Sequence, residues 1–198
     1  MLERERNIAE IQALKAQINP HFLFNTLNNL YSLAYTQSPQ TTEVISRLSQ
    51  MMRYMVYDSN HNTVPLEKEI DYIKNYISLE KLRLNENIPI DFVVTGDPSN
   101  KQIMPLLLIP FLENSFKHGI SNNNNSWVQA KLECNTNSVT LDVKNSKLVQ
   151  NGSAASSNSG VGLENVKRRL ELNYPGKYKL NITADDRQYL ANLQIQLN

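Results

Sequence analysis

The sequence is poor in the residues on which several classes of protein depend. One cysteine, Cys134, in 198 residues excludes an internal disulfide framework and a thiol-rich zinc site, and favours a reducing compartment. Aromatic residues make up 8% of the chain, too few for a platform that stacks single-stranded nucleic acid. Basic and acidic residues nearly balance, 20 against 19, so no net charge favours nucleic acid or an anionic membrane as a partner.

Long hydrophobic runs are also missing. The longest, residues 103–112, is too short to span a bilayer and contains two prolines. The residues after Met1 are charged where a signal peptide would have its apolar core. We therefore expect a soluble, cytoplasmic chain. Its hydrophobic content of 40% suffices for a core, and its length predicts one domain or two small ones.

The first part of the chain has the period of amphipathic helices. Residues up to Tyr35 are predicted to be helical, followed by a helix after Pro39 and a third that Pro65 opens. Glu67 and Glu69 fall in the first turn of the third helix, where the helix dipole favours acids. Near-heptad apolar residues at the start of the chain fit either a coiled coil or an ordinary amphipathic helix: Leu2, Ile8, Ile11, Leu14 and Ile18.

The pattern changes to the two-residue period of strands near Ile88. Apolar and polar residues alternate in five stretches, 88–94, 127–134, 139–143, 178–184 and 191–197. Helices are predicted at 105–119 and 161–174, with a long Ser- and Asn-rich loop, 146–160, before the second. We therefore predict a helical module, residues 1–87, and a second module, residues 88–198, in which one antiparallel sheet carries helices on one face. The fold class is α+β.

His21 lies at the centre of an apolar helical stretch, residues 14–30. The polar side chains of this stretch fall on one stripe of the helix: Gln17, His21, Asn25 and Asn28. We therefore expect an exposed imidazole. Pro20 either kinks one long helix just before His21 or occupies the first position of a new helix capped by Asn19. An ordinary surface histidine on a bundle helix is the alternative that this stretch alone leaves open.

Four polar residues end the otherwise apolar helix LLLIPFLENSFKHGI: Glu113, Asn114, Lys117 and His118. Asn114 shares a helix face with Lys117 and His118. Burying such groups is costly unless they have partners. A divalent cation and a polyphosphate would supply them, since amide and carboxylate oxygens suit Mg²⁺ and lysine suits phosphate. The alternative is a polar helix end exposed to water.

Two further features carry weaker signals. Gly160 and Gly162 open the next helix, and glycines at a helix N-terminus favour a phosphate group, over which the preceding long loop could close as a lid. The pattern is neither a dinucleotide fingerprint nor a P-loop. Asn145 stands at a strand end, where without context it is best interpreted as a turn residue.

Taken in order, these stretches resemble bacterial sensor histidine kinases of the LytS/YehU type. QINPHFLFNTLNNL is similar to that family's phosphoacceptor segment and LEKEIDYIKNYISLEKLR to the block that follows. PLLLIPFLENSFKHGI and GVGLENVKRRLELNYPGKY are similar to the asparagine box and the glycine box of the GHKL ATP-binding fold. The resemblance covers nearly the whole chain. It implies a dimerising phosphoacceptor module followed by an α/β sandwich of the GHKL (Bergerat) type.

The resemblance also implies a role for each matching residue. His21 would take a phosphoryl group from ATP and pass it to an aspartate of a response regulator. Asn114 would bind Mg²⁺, with Glu113 close by. The phosphates would be held by Lys117, His118, Gly160, Gly162 and Leu163. Asn145 stands where many relatives have an aspartate that accepts a hydrogen bond from the adenine amino group. An asparagine oxygen accepts that bond without charge assistance, which predicts weaker adenine binding.

In such a reaction a neutral imidazole needs positioning more than it needs a strong base. No acidic residue directly follows His21, and Asn25, one turn on, is the candidate for orienting the ring or a hydrolytic water. The resemblance implies a homodimer through the helical module, and a membrane contact only through an upstream segment. Two rival hypotheses are a nucleotide-responsive scaffold without catalysis, motivated by Asn145, and a GHKL ATPase or serine kinase in which His21 is incidental.

Overall fold

The computed structural model describes residues 20–84, 88–121, 126–147 and 160–197, and only the backbone of residues 160 and 161. Its helices are α1 (Pro20–Tyr35), α2 (Thr41–Val56), α3 (Leu66–Lys81), α4 (Ile109–Gly119) and α5 (Gly160–Asn173). Its strands are β1 (Val64–Pro65), β2 (Ile90–Gly96), β3 (Gln102–Ile103), β4 (Val128–Cys134), β5 (Ser138–Ser146), β6 (Tyr178–Ala184) and β7 (Gln188–Gln196). None of the helices within these ranges is long and apolar enough to cross a bilayer.

Of the three helices before the sheet, α2 and α3 bury the apolar residues that their periodicity predicts. On α2 the buried apolar residues recur at helical spacing: Val44, Leu48, Met51 and Met55. Helix α1 packs more loosely, because Thr26 is its only buried residue within the described range. Leu27 of α1 is exposed, and so are Ile45, Met52 and Val56 of α2. These two helices therefore present apolar side chains to solvent.

Two helices begin later than the prolines predicted. Helix α2 starts at Thr41 because the Ser38 hydroxyl accepts a hydrogen bond from the Gln40 N–H (3.3 Å) and so closes a turn before the helix. Helix α4 starts at Ile109 because Leu106 has a φ of 53°, a left-handed conformation that interrupts a right-handed helix. The predicted coiled coil, the choice between a kink and an Asn19 cap, and most of the loop 146–160 lie outside the described residues.

The main sheet has five strands in the order β2-β4-β5-β7-β6. Four strands are antiparallel, as predicted, but β2 pairs parallel with β4, with Ile90 opposite Val128. The prediction of a wholly antiparallel sheet is therefore wrong at this edge. Separately, β1 and β3 form a two-residue ladder, with Val64 opposite Ile103, which the sequence did not predict.

Helix α4 packs against β4, β5 and β7, and α5 packs against α4, while the alternate residues of β4 and β5 that face away are polar. The alternation predicted for β4 is confirmed, since Val128, Ala130, Leu132 and Cys134 are all buried. Buried residues of α2, α3, α4 and the sheet form one continuous hydrophobic cluster. The α+β class is thus confirmed. The division between residues 87 and 88 stays a prediction, because residues 85–87 lie outside the described ranges.

Candidate active site

A cleft of about 780 Å³ opens between α1, the end of α3, α4 and the start of α5. Its wall brings together six of the ten residues that the sequence singled out: His21, Glu113, Asn114, Lys117, Gly162 and Leu163. These residues come from three motifs separated by up to 142 positions in the chain (21 to 163). The fold therefore brings α1, which carries His21, close to the polar end of α4 and to the first turn of α5, which contains Gly162.

His21 is exposed at the second position of α1, as predicted. The Asn25 amide nitrogen, one turn later, lies 3.2 Å from Nδ1 and 3.3 Å from Nε2 of the imidazole. An amide N–H donates to whichever ring nitrogen carries no proton. The neighbouring ring of Phe22 packs on Tyr76 of α3 with 4.9 Å between centroids. The histidine is thus accessible to solvent while its helix is anchored by the next residue.

Helix α4 places two half-buried oxygen-bearing side chains, Glu113 and Asn114, and one exposed cation, Lys117, on the cleft. Buried Phe111, Leu112 and Phe116 fix the helix against the sheet. Among the described residues, no group of three or more His, Cys, Asp or Glu side chains could hold a metal ion unaided. The one carboxylate and one amide nonetheless fit Mg²⁺, which commonly takes one or two protein ligands together with phosphate oxygens.

Three described residues that the sequence singled out do not line the cleft: Asn25, His118 and Asn145. The His118 Nε2 atom is buried and meets no hydrogen-bond partner in the described part of the chain. Burial, and then the charge of Lys117, lower the pKa of His118. Asn145 is 1% exposed; its amide nitrogen donates to the Ser146 carbonyl (2.8 Å), whereas its oxygen accepts no hydrogen bond from any described residue.

The end of α4 passes very close to Asn145. A Cβ atom at Gly119 would lie 2.6 Å from the Asn145 Cβ and 2.7 Å from its amide nitrogen. Real Cβ atoms do not approach other atoms so closely, so position 119 admits only glycine unless Asn145 moves. The glycine that ends α4 therefore also gives the Asn145 side chain its position.

Tyr189 connects the cleft with Asn145. It stands opposite Asn145 in the β5–β7 ladder, so the two side chains share one face of the sheet. Burial raises the pKa of Tyr189, and the polar side chain of Asn114 nearby partly opposes that rise. The Tyr189 hydroxyl makes no hydrogen bond to any described residue. Asn114, Tyr189 and Asn145 thus form a polar path from the cleft wall to the sheet. Two of its polar atoms lack partners among the described residues.

Sequence reasoning missed an ion pair in the cleft wall, Glu80 with Arg83. The Arg83 Nε donates to the Glu80 carboxylate at 2.5 Å; the Glu80 side chain is 6% exposed and that of Arg83 34%. Burial and then the charges of Glu80 and Glu113 raise the pKa of the adjacent Tyr76. Opposite charges three residues apart on a helix are usually solvated. In the sequence, the one sign of this pair is that both residues lie in LEKEIDYIKNYISLEKLR, the stretch that resembles the family's block after the phosphoacceptor segment.

A second buried carboxylate lies at the other end of α3. Glu69 is fully buried and accepts hydrogen bonds from the Tyr54 hydroxyl and from the backbone N–H groups of Leu106 (2.6 Å) and Leu108 (3.5 Å). Burial raises the pKa of this carboxyl, against the opposing effect of those donors. Glu69 lies in the first turn of α3, as predicted, but the sequence did not predict its burial. Its partners lie in α2 and in the segment before α4.

Arg169 of α5 completes this arrangement, which we call the clamp (Tyr54, Glu69, Leu106 and Arg169). Its Nη1 donates to the Leu106 carbonyl (2.9 Å), and its Nη2 to the Pro105 carbonyl. The left-handed backbone at Leu106, which costs about 1 to 2 kcal/mol, is thus held at its N–H by Glu69 and at its C=O by Arg169. The clamp joins α2, α3, α5 and the segment that leads into α4.

Comparisons with known proteins agree with this geometry. The family model described as histidine kinase matches residues 9–88. The sensor protein LytS of Staphylococcus saprophyticus is 28% identical over 188 residues, 89% of this chain and 32% of that protein. The sensor protein kinase HptS of Staphylococcus aureus is 35% identical over 118 residues, 58% of this chain and 22% of that protein. The chain therefore spans about a third or less of the length of these curated relatives.

A solved structure shows the shared fold. The histidine kinase domain from the blue-light activated histidine kinase of Erythrobacter litoralis superposes with a TM-score of 0.51, over 98% of this chain and 95% of that one, at 18% identity. Helices followed by a sheet domain of the GHKL type, as the sequence predicted, are thus confirmed.

Proposed function

Because the chain belongs to the histidine kinases of the LytS type, we propose that it transfers the terminal phosphoryl group of ATP to His21 and then to an aspartate of a response regulator. The common cleft is the observation that carries this proposal. His21 is exposed in a wall that also contains Glu113, Asn114 and Lys117. Neither a nucleotide-responsive scaffold nor an ATPase requires an exposed histidine in the wall of the nucleotide cleft. The observed position of His21 therefore favours the kinase over both rival hypotheses.

The proposed step is an in-line displacement at phosphorus. The unprotonated nitrogen of His21 attacks the terminal phosphorus, and its lone pair forms the N–P bond. The P–O bond to the departing ADP breaks, and its electron pair leaves with ADP. Asn25 positions the resting ring, and its amide must release the attacking nitrogen. Lys117 neutralises phosphate charge. A Mg²⁺ ion held by Asn114 and Glu113 would, when bound, supply further Lewis-acid stabilisation.

The rest of the nucleotide fits the remaining predicted residues. The unpartnered Asn145 oxygen supports a role as acceptor for the adenine amino group. Helix α5 begins at Gly160, and helix N-termini favour phosphate. At Gly162, in the first turn of α5, a Cβ would meet no atom of the described residues within 4 Å, so these residues leave space for a ligand. His118 would need to turn its buried nitrogen outward to reach the phosphates.

Incubation with γ-labelled ATP tests this function. We expect an acid-labile, base-stable label that disappears in His21→Gln and persists in His61→Gln, the matched control in an exposed loop. Asn114→Ala should abolish binding of Mg-ATP while the circular dichroism spectrum stays unchanged. A label that is indifferent to His21, or release of phosphate without any label, would contradict the proposal.

We also propose that the helical module forms a homodimer through α1. Its exposed large residues recur at spacings of three and four and so form one stripe: Phe24, Leu27, Tyr31 and Tyr35. Contiguous exposed apolar surface of this kind marks an interaction site. Light scattering should give a dimer for the chain and for Lys74→Glu, and a monomer for Tyr31→Glu; a dimer of Tyr31→Glu would contradict the assignment. The response regulator, the cytoplasmic location and the two-module division stay predictions.

A further inference from the structure

The cleft wall contains a second cationic side chain, Arg83, that the proposed step does not use. Arg83 lies just beyond the end of α3, and its side chain is one-third exposed. Only its Nε donates to Glu80; neither terminal nitrogen donates a hydrogen bond to any residue in the described part of the chain. One edge of the guanidinium is therefore held, and the other remains able to bind a ligand.

A second arginine on the helical module shows how a purely structural pair differs. Arg47 of α2 donates through both Nε (3.0 Å) and Nη2 (2.7 Å) to the same oxygen of Glu43, and its Nη1 donates to Asn75. That pair lies away from the cleft and leaves no terminal nitrogen unused. The Glu80–Arg83 pair keeps both terminal nitrogens unused, although Glu80 is the more deeply buried carboxylate. Two parallel N–H groups on one planar edge match two oxygens of a phosphate.

We propose that Arg83 binds the terminal phosphate of ATP through its two terminal nitrogens, while Glu80 holds the guanidinium by its Nε. This inference rests on the proposed function for its substrate. In phosphoryl transfer, negative charge spreads over the three outer oxygens of the moving group, and charged donors placed there stabilise it. Lys117 acts as a point charge, whereas Arg83 adds a directional contact. Arg83 forms no covalent bond in the step. Since ADP lacks the terminal phosphate, Arg83 should distinguish ATP from ADP.

Calorimetric titration of the full chain with Mg-ATP and with Mg-ADP tests the inference, with His21→Gln in every variant so that ATP is not consumed. We expect Arg83→Gln to weaken ATP binding roughly tenfold and ADP binding less than about twofold. Arg83→Lys should restore part of the loss, because it returns the charge without the fork. The matched control, Lys81→Gln in the last turn of α3, should bind both nucleotides like the parent.

A double variant separates a lost contact from an unpaired Glu80. Glu80→Gln with Arg83→Gln removes both charges and should show the same ATP-specific loss as Arg83→Gln. ATP affinity restored in the double variant would mean that a bare Glu80 had repelled the phosphates, and would overturn the inference. Equal weakening of ATP and ADP, or no change in either, would also overturn it. These binding readouts need no transfer to His21, so a failure of the proposed function, seen as absence of label, is distinguishable.

Discussion

The two ends of α3 each carry a buried carboxylate, and they use it in opposite ways. Glu69 and Glu80 are eleven residues apart, about three helical turns, so both point from the same face of the helix. They are 0% and 4% exposed. Glu69 accepts hydrogen bonds from uncharged donors, a hydroxyl and two backbone N–H groups, and all of these donors are buried or part-buried. Glu80 lies beside the Tyr76 hydroxyl and, unlike Glu69, pairs with a cation from its own helix end, Arg83.

The difference lies in the partners and not in the carboxylates. The partners of Glu69 belong to other elements and are fixed in the core, so this carboxylate can only hold the clamp together. The partner of Glu80 is one-third exposed in the cleft and can turn to a ligand without leaving the carboxylate. Burial of an acid therefore does not by itself indicate a reactive site. Exposure of the group that it pairs with distinguishes the two ends.

The largest expected effect is on stability at the clamp end. Glu69→Leu leaves a buried hydroxyl and two backbone N–H groups without their acceptor, and removes the negative charge near Arg169. We expect urea denaturation to give a loss of about 3 to 5 kcal/mol in the free energy of unfolding. The control is Glu67→Leu, in the same turn but exposed, which should change stability by less than about 0.5 kcal/mol. Equal losses would abolish the distinction between structural and solvated acids in this turn.

Replacing Glu80, at the end of α3 that lines the cleft, should reduce the free energy of unfolding less than replacing Glu69. In Glu80→Leu the guanidinium of Arg83 can turn to water, because a third of its side chain is already exposed. We expect a loss of about 1 to 2 kcal/mol in the free energy of unfolding, under half of that for Glu69→Leu. The same urea denaturation curves measure it. A loss as large as that of Glu69→Leu would mean that both carboxylates are clamps.

The smallest effect concerns pH at the end of α4, where the buried His118 Nε2 has no hydrogen-bond partner in the described part of the chain. Burial, and then the charge of Lys117, lower its pKa, so the folded chain binds this proton less readily than the unfolded chain. Stability should therefore fall as pH drops below about 6.5 towards the lowered pKa of the folded state. His118→Gln should reduce that fall in stability by less than about 1 kcal/mol. Urea denaturation measures it between about pH 5 and pH 8, the range in which histidine ordinarily titrates. His61→Gln should reproduce the wild-type curve. An unchanged slope in His118→Gln would contradict the assignment.

Local periodicity was enough to predict most of the elements and the site residues on them. Strand alternation located β4, β5, β6 and β7, and helical spacing placed Glu113, Asn114 and Lys117 on one helix end. Five of the six predicted residues that meet in the cleft were singled out from residue type and spacing, and Leu163 from the family resemblance. This worked because each motif is contained in one element, so that its chemistry is readable before the fold is known.

Features that depend on distant residues could not be predicted. The two-residue period of β2 is the same in parallel and antiparallel pairing, so it carries no information on its direction. The donors to Glu69 lie up to 39 positions away, and the first-turn position of Glu69 carries no information about them. Arg83 and Glu80 have the spacing of an ordinary surface pair. The left-handed Leu106 delays α4 because Glu69 and Arg169 hold it in that conformation.

One cleft, built by a single chain, contains both His21 and Asn114, and a mixing experiment tests this most directly. His21→Gln chains are mixed with Asn114→Ala chains, which carry a tag so that the two separate by size, and γ-labelled ATP is added. The wild-type chain, with and without the tag, is labelled alone for comparison. We expect no label on the Asn114→Ala chain, since its intact His21 faces only its own disabled pocket. Labelling of that chain at a rate comparable to wild type would mean that the histidine is served by another molecule's pocket, and would contradict the single-chain cleft.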